Sequence, residues 1–373
     1  MGCTRSRAEI TIIKIMSKKI GVLTSGGDCP GLNAVLRGVV RASEHLNWEV
    51  IGFIDGYEGI LPPVRTMQLN RANTAGIMQQ GGTMIGTTNK GNFIAKIGDG
   101  QKMAAPPEVI AKARKTIIDL QLDAVVAIGG DGSLTTALQL FEEGFPMIGV
   151  PKTIDNDLEA TAMTFGFDSA VACVADALDR LHTTASSHKR VMVLEVMGRH
   201  AGWIALYGGL AGGADIILIP EIPFDYEKVA EVVRRREAEG YKSTMIVVAE
   251  GACPKDGSIV IAEQRTGEYR LGGIGEQVTH EIVARTGKET RTCVLGHLQR
   301  GGAPTTLDRI LGTRFGVHAV KLAEEKKFGR MVSYQNYIVM DVPIAEAVHR
   351  LRTVPSDHQM VETSRAVDIS FGD

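Results

Sequence analysis

The sequence predicts an α/β fold of two lobes, each a mainly parallel sheet flanked by helices. Three observations lead there. Short apolar runs end repeatedly in glycine turns, segments of helical period follow those turns, and the alternation continues to about residue 295 with no low-complexity linker. At 373 residues the chain can form one large domain or two medium ones, and 44% hydrophobic with 23% charged residues is the composition of an ordinary globular core.

In chain order, Ile20-Gly21-Val22-Leu23 is a buried-strand run that ends in Thr24-Ser25-Gly26-Gly27-Asp28. A helix is predicted from Asn33, with Val35, Val39 and Val40 apolar and Arg37 and Arg41 one turn apart. Trp48 to Ile54 reads as a second strand, giving a first βαβ unit. Ala124–Ile128 is a further buried strand that enters Gly129-Gly130-Asp131-Gly132-Ser133, followed by a helix from about Ser133 to Glu143 and a strand over Met147–Val150. Strands are expected again at Val191–Val196, Ile216–Ile219, Met245–Ala249 and Thr292–Leu295. Met16-Ser17-Lys18-Lys19 resembles a second start before the first strand, so residues 1–17 read as an N-terminal extension.

Composition narrows the partners. A net charge of -2 gives no electrostatic reason to expect nucleic acid or an acidic membrane, and no apolar stretch approaches the ~20 residues that span a bilayer. Five scattered cysteines without C-x-x-C spacing argue against a disulfide framework or a structural zinc site and fit a reducing cytoplasm.

The chemistry concentrates in Pro151-Lys152-Thr153-Ile154-Asp155-Asn156-Asp157, just after a buried strand. If the chain stays extended there, period-two geometry points Thr153, Asp155 and Asp157 to one side. Carboxylates are costly to gather without a metal, a cation or a transferred proton, and the carboxyl end of such a strand is where open α/β sheets carry their sites. The two glycine turns bring backbone N–H groups close to an anion at a helix N-terminus. Either turn alone is more often tight-turn geometry; two of them, the second containing Asp131, favour a phosphate cradle with Asp131 as a Mg²⁺ ligand. The alternative for Asp131 or Ser133 is a helix N-cap. Arg190, Arg199, Arg291 and Arg300, with His297, stand near predicted strand ends and suit a dianionic phosphate. Glu250 follows a strand and could accept from sugar hydroxyls.

Five motifs in order resemble the 6-phosphofructokinase family: Thr24–Asn33, Gly129–Ser133, Pro151–Asp157, Val196-Met197-Gly198-Arg199 and Leu295–Gly302. The resemblance runs from about residue 18 to beyond residue 310. It implies the phosphofructokinase fold, with a nucleotide lobe over 18–166 plus about 299–352 and a sugar-phosphate lobe over 167–298 plus about 353–373. It further implies phosphorylation of fructose 6-phosphate at the 1-hydroxyl by Mg-ATP, a glycolytic step in the cytoplasm. Asp155 would be the general base, with Thr153 and Asp157 completing its loop and Arg199 neutralising the transferred group. Gly27, Gly130, Asp131, Gly132 and Ser133 would line the donor phosphates, with Mg²⁺ on Asp131. Ile154, Met197, Gly198 and Glu250 would contact the sugar, and His297, Leu298, Gln299 and Arg300 its 6-phosphate side. Arg190 and Arg291 would reach that phosphate from a neighbouring subunit, implying a homo-oligomer, most simply a tetramer.

Three departures qualify the resemblance. Lys152 stands where familiar ATP enzymes carry glycine and pyrophosphate enzymes carry lysine, whereas Gly132 leaves open the space that pyrophosphate users fill with Asp. Gly132 decides for ATP, and a reversible pyrophosphate-dependent enzyme is the alternative. Asn89 replaces a nucleotide-side arginine, and Lys90 is the candidate to supply that cation. At the family's effector positions Arg37 and Arg41 are kept, but His182, Asp215, Glu239 and Tyr241 replace other residues, so regulation by anionic effectors is expected to be weak, absent or replaced. More distant alternatives are an NAD- or lipid-kinase-like enzyme and an inactive regulatory subunit; the latter should have lost Asp131, Asp155 or Arg199, and all three are present.

Overall fold

The computed structural model describes residues 17–88, 91–93, 105–257, 261–265 and 268–373. The chain begins with β1 (Lys19–Thr24), α1 (Leu32–His45), β2 (Glu49–Phe53) and β3 (Thr66–Leu69), then α2 (Pro107–Asp119), β4 (Ala124–Gly129), α3 (Asp131–Glu142) and β5 (Met147–Thr153). A short β6 (Phe165–Gly166) leads into α4 (Phe167–His188). Next come β7 (Val191–Val196), α5 (Trp203–Ala211), β8 (Ile216–Leu218), α6 (Tyr226–Ala238) and β9 (Thr244–Ala249). The hairpin β10 (Ile261–Arg265) and β11 (Glu268–Leu271) precedes α7 (Ile274–Thr286) and β12 (Thr290–Val294). The chain closes with α8 (Thr306–Glu324), β13 (Arg330–Gln335), β14 (Ile338–Pro343), α9 (Ile344–Ala347) and α10 (Gln359–Ala366).

These form an eight-stranded sheet in the order β14-β13-β5-β4-β1-β2-β3, with β6 on β5, and a four-stranded sheet in the order β12-β7-β9-β8. The four-stranded sheet is wholly parallel, while the larger one carries antiparallel edges where β3 pairs with β2 and β14 with β13. This is the α/β fold of mainly parallel sheets expected from the sequence. β4 and β9 are buried throughout, as strands covered on both faces must be.

One apolar core runs from Ile20 and Val126 of the larger sheet, through α1, α8, α4 and α5, to Leu194 and Val247 of the smaller one. Helix α1 buries Leu32, Val35, Leu36, Val39 and Val40, the 3.6-residue stripe that its sequence spells out. It crosses α8 at small residues: a Cβ built on Gly316 would lie 2.4 Å from the Val35 carbonyl oxygen, and one on Gly38 would lie 2.7 Å from that of Thr313.

The topology places the site. From β1 the chain crosses to β2 on one side and returns to β4 on the other, so the carboxyl ends of β1 and β4 flank a topological switch point. β5 lies next to β4. The two glycine turns and the Thr153–Asp157 segment therefore emerge side by side.

Candidate active site

The turn after β1 is pinned by Ser25 N–H donating to the Ile128 carbonyl at 2.9 Å and Gly26 N–H to that of Thr88 at 3.0 Å. Gly26 adopts φ +81°, a conformation that favours glycine. The turn after β4 leads directly into α3, whose N-cap Gly130 brings no capping side chain, and the helix N-terminus lines the cavity with its dipole facing it. Asp131 is the first helical residue and Ser133 lies inside the first turn, so neither fills the N-cap position weighed for them. Together the turns enclose a cavity of about 260 Å³, also lined by Lys152, Thr153 and Arg300.

The segment after β5 does not stay extended, contrary to the period-two expectation. The strand ends at Thr153 and the chain bends, with Asn156 at φ 51°. The three side chains converge by another route. The Thr153 hydroxyl accepts from Asp155 N–H at 3.1 Å and also hydrogen-bonds the Asp157 carboxylate. Asn156 Oδ1 accepts from Thr164 N–H at 3.0 Å, and the Thr164 hydroxyl donates to the Thr153 carbonyl at 2.7 Å, which fixes the bend.

Asp155 Oδ1 is shielded from solvent and has no hydrogen-bond partner. Burial, then the Asp157 and Glu250 carboxylates, raise the Asp155 carboxyl well above its ordinary range against the pull of Arg300 and Lys152. Burial likewise raises Asp157, opposed by Thr153, Lys152 and His200. The Asp155 carboxyl is thereby poised to hold a proton near neutral pH. Lys152 is 4% exposed and its ammonium donates to the Gly27 carbonyl. Burial lowers its pKa, countered mainly by Cys29, Asp28 and Asp157.

Arg300 extends along Gly27, donates to the Asp28 carbonyl at 3.1 Å, and its charge is felt by both Asp155 and Glu250. Glu250, next to β9, is raised by burial and by Glu195, while Arg300, Arg199 and a Gly198 backbone bond hold it down. Asp155, Asp157, Arg199, Gly198, Glu250 and Arg300 thus meet at the carboxyl ends of strands from both sheets. Met197 and Ile154 flank them, Ile154 fully buried.

Other residues of the expected site fall elsewhere. His297 and Leu298 line a separate groove along α4, while Gln299, between them and Arg300, is 1% exposed. Arg190 and Arg291 lie at the starting ends of β7 and β12, both paired with Glu289 at 2.7 Å, roughly 20 Å of strand from Glu250. Asn89 and Lys90 lie outside the described residues, as do residues 1–16 of the expected extension. At the expected effector positions, Asp215 pairs with Arg236 at 2.8 Å, whose guanidinium stacks 4.2 Å from the Tyr241 ring, and His182 Nε2 lies 2.8 Å from the Gly212 carbonyl.

Sequence reasoning missed Tyr57 and Phe93 on the cavity wall. Tyr57 donates to the Ser133 carbonyl at 2.8 Å and its ring lies 5.5 Å from that of Phe93. Neither sits in a motif, and only the tertiary pairing betrays them. Among the described residues no group of three or more His, Cys, Asp or Glu stands ready to hold a metal. That is compatible with Mg²⁺, which is commonly held by one or two carboxylates plus substrate phosphates, and Asp131 on the phosphate-sized cavity offers such a ligand.

A family model described as phosphofructokinase matches residues 19–323. An ATP-dependent 6-phosphofructokinase of Chloroflexus aggregans is 52% identical, over 95% of this chain and 98% of its own. A pyrophosphate–fructose 6-phosphate 1-phosphotransferase of Streptomyces coelicolor is 49% identical, over 90% of this chain and 96% of its own. The solved phosphofructokinase of Saccharomyces cerevisiae matches with a TM-score of 0.78 and 32% identity, over 89% of this chain and 45% of the yeast chain.

Proposed function

The chain belongs to the phosphofructokinase family, and we propose accordingly that it is an ATP-dependent 6-phosphofructokinase that phosphorylates D-fructose 6-phosphate at its 1-hydroxyl. The observation that carries this reading is the shared cavity, where two glycine turns, Asp131 and Thr153 at the head of the Asp155–Asp157 loop face one another. Gly27 and Gly130 to Ser133 receive the donor phosphates on backbone N–H groups and the α3 N-terminus. Asp131 holds Mg²⁺, which neutralises charge on those phosphates when bound.

Asp155 accepts the proton of the 1-hydroxyl as the O–P bond forms, and its raised affinity for a proton suits that role. Thr153 holds Asp157 and the loop backbone in place. Arg199 balances charge on the transferred phosphoryl group. Met197, Gly198, Ile154 and Glu250 hold the sugar. Arg300, at the end of the Gly296–Arg300 turn that carries His297, Leu298 and Gln299 beside it, receives its 6-phosphate. For that, Arg300 exchanges the Asp28 carbonyl for phosphate oxygens, a stronger charge-assisted bond.

Arg190 and Arg291 point away from the site of their own chain, which supports a homotetramer in which they serve a neighbour's 6-phosphate. The nucleotide and sugar-phosphate lobes are assigned to 18–166 with about 299–352, and to 167–298 with about 353–373. No described helix is long and apolar enough to cross a membrane. We place the reaction in the cytoplasm, as a step of glycolysis.

Pyrophosphate is the second reading for the donor, favoured by the Lys152 ammonium beside the donor turn. Gly132, which adds no side chain to the cavity, favours ATP. Initial rates with Mg-ATP, Mg-ADP and Mg-pyrophosphate, measured in parallel, decide between them. ATP is expected to be fastest, and much faster turnover with pyrophosphate would overturn the choice.

A further inference from the structure

The last part of the chain crosses from one site loop to the other. Leu351 bridges Leu158, and Arg352 N–H donates to the Asp157 carbonyl at 2.8 Å, so the segment is stitched to the carboxylate loop. Two residues on, Val354 N–H donates to Glu221 Oε1 at 2.7 Å. The same carboxylate accepts from Gly202 N–H at 3.0 Å, three residues after Arg199. Between these ties stands Trp203, 1% exposed, whose indole N–H donates to the Arg352 carbonyl at 3.0 Å. The Arg352 guanidinium lies 4.6 Å from the Trp203 ring and donates to the Ala162 carbonyl at 3.0 Å.

One strap therefore binds the Asp155–Asp157 loop of the eight-stranded sheet and the Arg199 loop of the four-stranded sheet. None of its side chains lines the donor cavity. We propose that Arg352, Trp203 and Glu221 are positioning residues that set the distance between the carboxylate side and the Arg199 side of the site. The geometry singles out this role because hydrogen bonds, a cation–π contact and a shared carboxylate all converge on the one segment. Small displacements between reacting groups cost rate steeply, whereas donor binding depends on turns that the strap does not touch. The proposal rests on the phosphofructokinase reading.

Three variants test it: Arg352→Leu removes the stack and its carbonyl contacts, Trp203→Phe removes the indole donor but keeps a ring, and Arg352→Lys keeps a cation and a donor. In Arg352→Leu and Trp203→Phe, kcat for fructose 6-phosphate should fall by about tenfold or more, with KM for ATP changed less than about twofold. Arg352→Lys should recover most of the loss. The double variant Arg352→Leu/Trp203→Phe should lose more than either alone, because the indole bond to the Arg352 backbone carbonyl and the guanidinium contacts are separate ties on one strap. If Arg352→Leu does not fold, Trp203→Phe and Arg352→Lys carry the test. Unchanged kcat in folded variants, or equal losses in kcat and in ATP affinity without rescue by lysine, overturns the strap. A wild-type enzyme that turns over fructose 6-phosphate with neither donor overturns instead the reading beneath it.

Discussion

Replacing Asp155 by asparagine should make the protein more stable and nearly inactive. Burial and the neighbouring Asp157 carboxylate push the Asp155 carboxyl from 3.8 up to about 7. At about 1.4 kcal/mol per unit, keeping it ionised above pH 7 costs the fold up to ~4 kcal/mol, an upper bound shared with Asp157 because the two titrate as a pair. The sign follows from the direction of the shift. With the folded-state value raised, the folded protein binds more protons than the unfolded chain between about pH 4 and 7. Stability contributed by this group therefore grows as pH falls through that window and is lost as pH rises through it.

Asparagine carries no charge at any pH. Asp155→Asn should raise Tm by a few degrees at pH 7.5 and flatten the dependence of Tm on pH between 5 and 7. Turnover should drop by about 10²–10⁴, the usual contribution of a positioned base, with KM for fructose 6-phosphate little changed. In the wild-type enzyme, kcat/KM for fructose 6-phosphate should fall about tenfold per pH unit below about 7. Differential scanning calorimetry and initial rates over pH 5.5–8.5 measure both effects. A variant no more stable than wild type, together with a flat kcat/KM between pH 6 and 8, would refute the reasoning, since the carboxylate would then be ionised at no cost.

Other perturbations probe different parts of the molecule. Arg199→Ala should lower kcat by about 10²–10³, with a smaller effect on KM for ATP, as removing a transition-state cation does; equal effects on both would move Arg199 to ground-state binding. Lys152→Met removes one of the cations that hold the Asp155 carboxyl down, so the acid limb of the kcat/KM profile should move to higher pH; a profile that stays in place would separate the two residues electrostatically. Gly316→Ala drives a Cβ to 2.4 Å from the Val35 carbonyl oxygen and should cost about 1–3 kcal/mol, read as a lower urea midpoint with the activity of the folded fraction preserved. Half-saturation by fructose 6-phosphate should shift less than about twofold with ADP or phosphoenolpyruvate, because Asp215 is already paired with Arg236 and each lost charge-assisted contact removes roughly 1.5–3 kcal/mol. A large shift would show an effector site that does not use these positions.

The sequence revealed what is local and buried on both sides. β1, β4 and β7 carry apolar runs, broken in β7 by the buried Glu195, and the turns after β1 and β4 announce themselves through glycine, so the cradle was legible. β12 was expected at Thr292–Leu295 and runs over Thr290–Val294, because its polar threonines and Arg291 hide the start of the strand. The sequences of the hairpins β10–β11 and β13–β14 hold no apolar run as long as that of β4, and strand recognition rested on such runs. The convergence of Thr153, Asp155 and Asp157 was foreseen, but its cause was not. A left-handed Asn156, held by Thr164 across the loop, is a tertiary matter that side-chain periodicity does not encode. Arg236 was invisible for a similar reason: within its helix it is one of three consecutive arginines, and only the fold puts it on Asp215.

The crossing of α1 with α8 has a consequence for how the protein is made. α1 ends at His45 and α8 starts at Thr306, so about 260 residues separate two surfaces that seal one another. At roughly 5–20 residues per second, the apolar stripe of α1 waits some 13–50 s on the ribosome for its partner. β13, which completes one flank of the larger sheet, emerges later still. The smaller sheet, from β7 to β12, is meanwhile fully synthesised and free to collapse. Biosynthesis thus reverses the order of the chain: the middle can settle first, and the amino-terminal half of the donor cradle remains adhesive until the end. Slow translation or scarce chaperone should therefore penalise this enzyme through its earliest helix rather than through its catalytic loop.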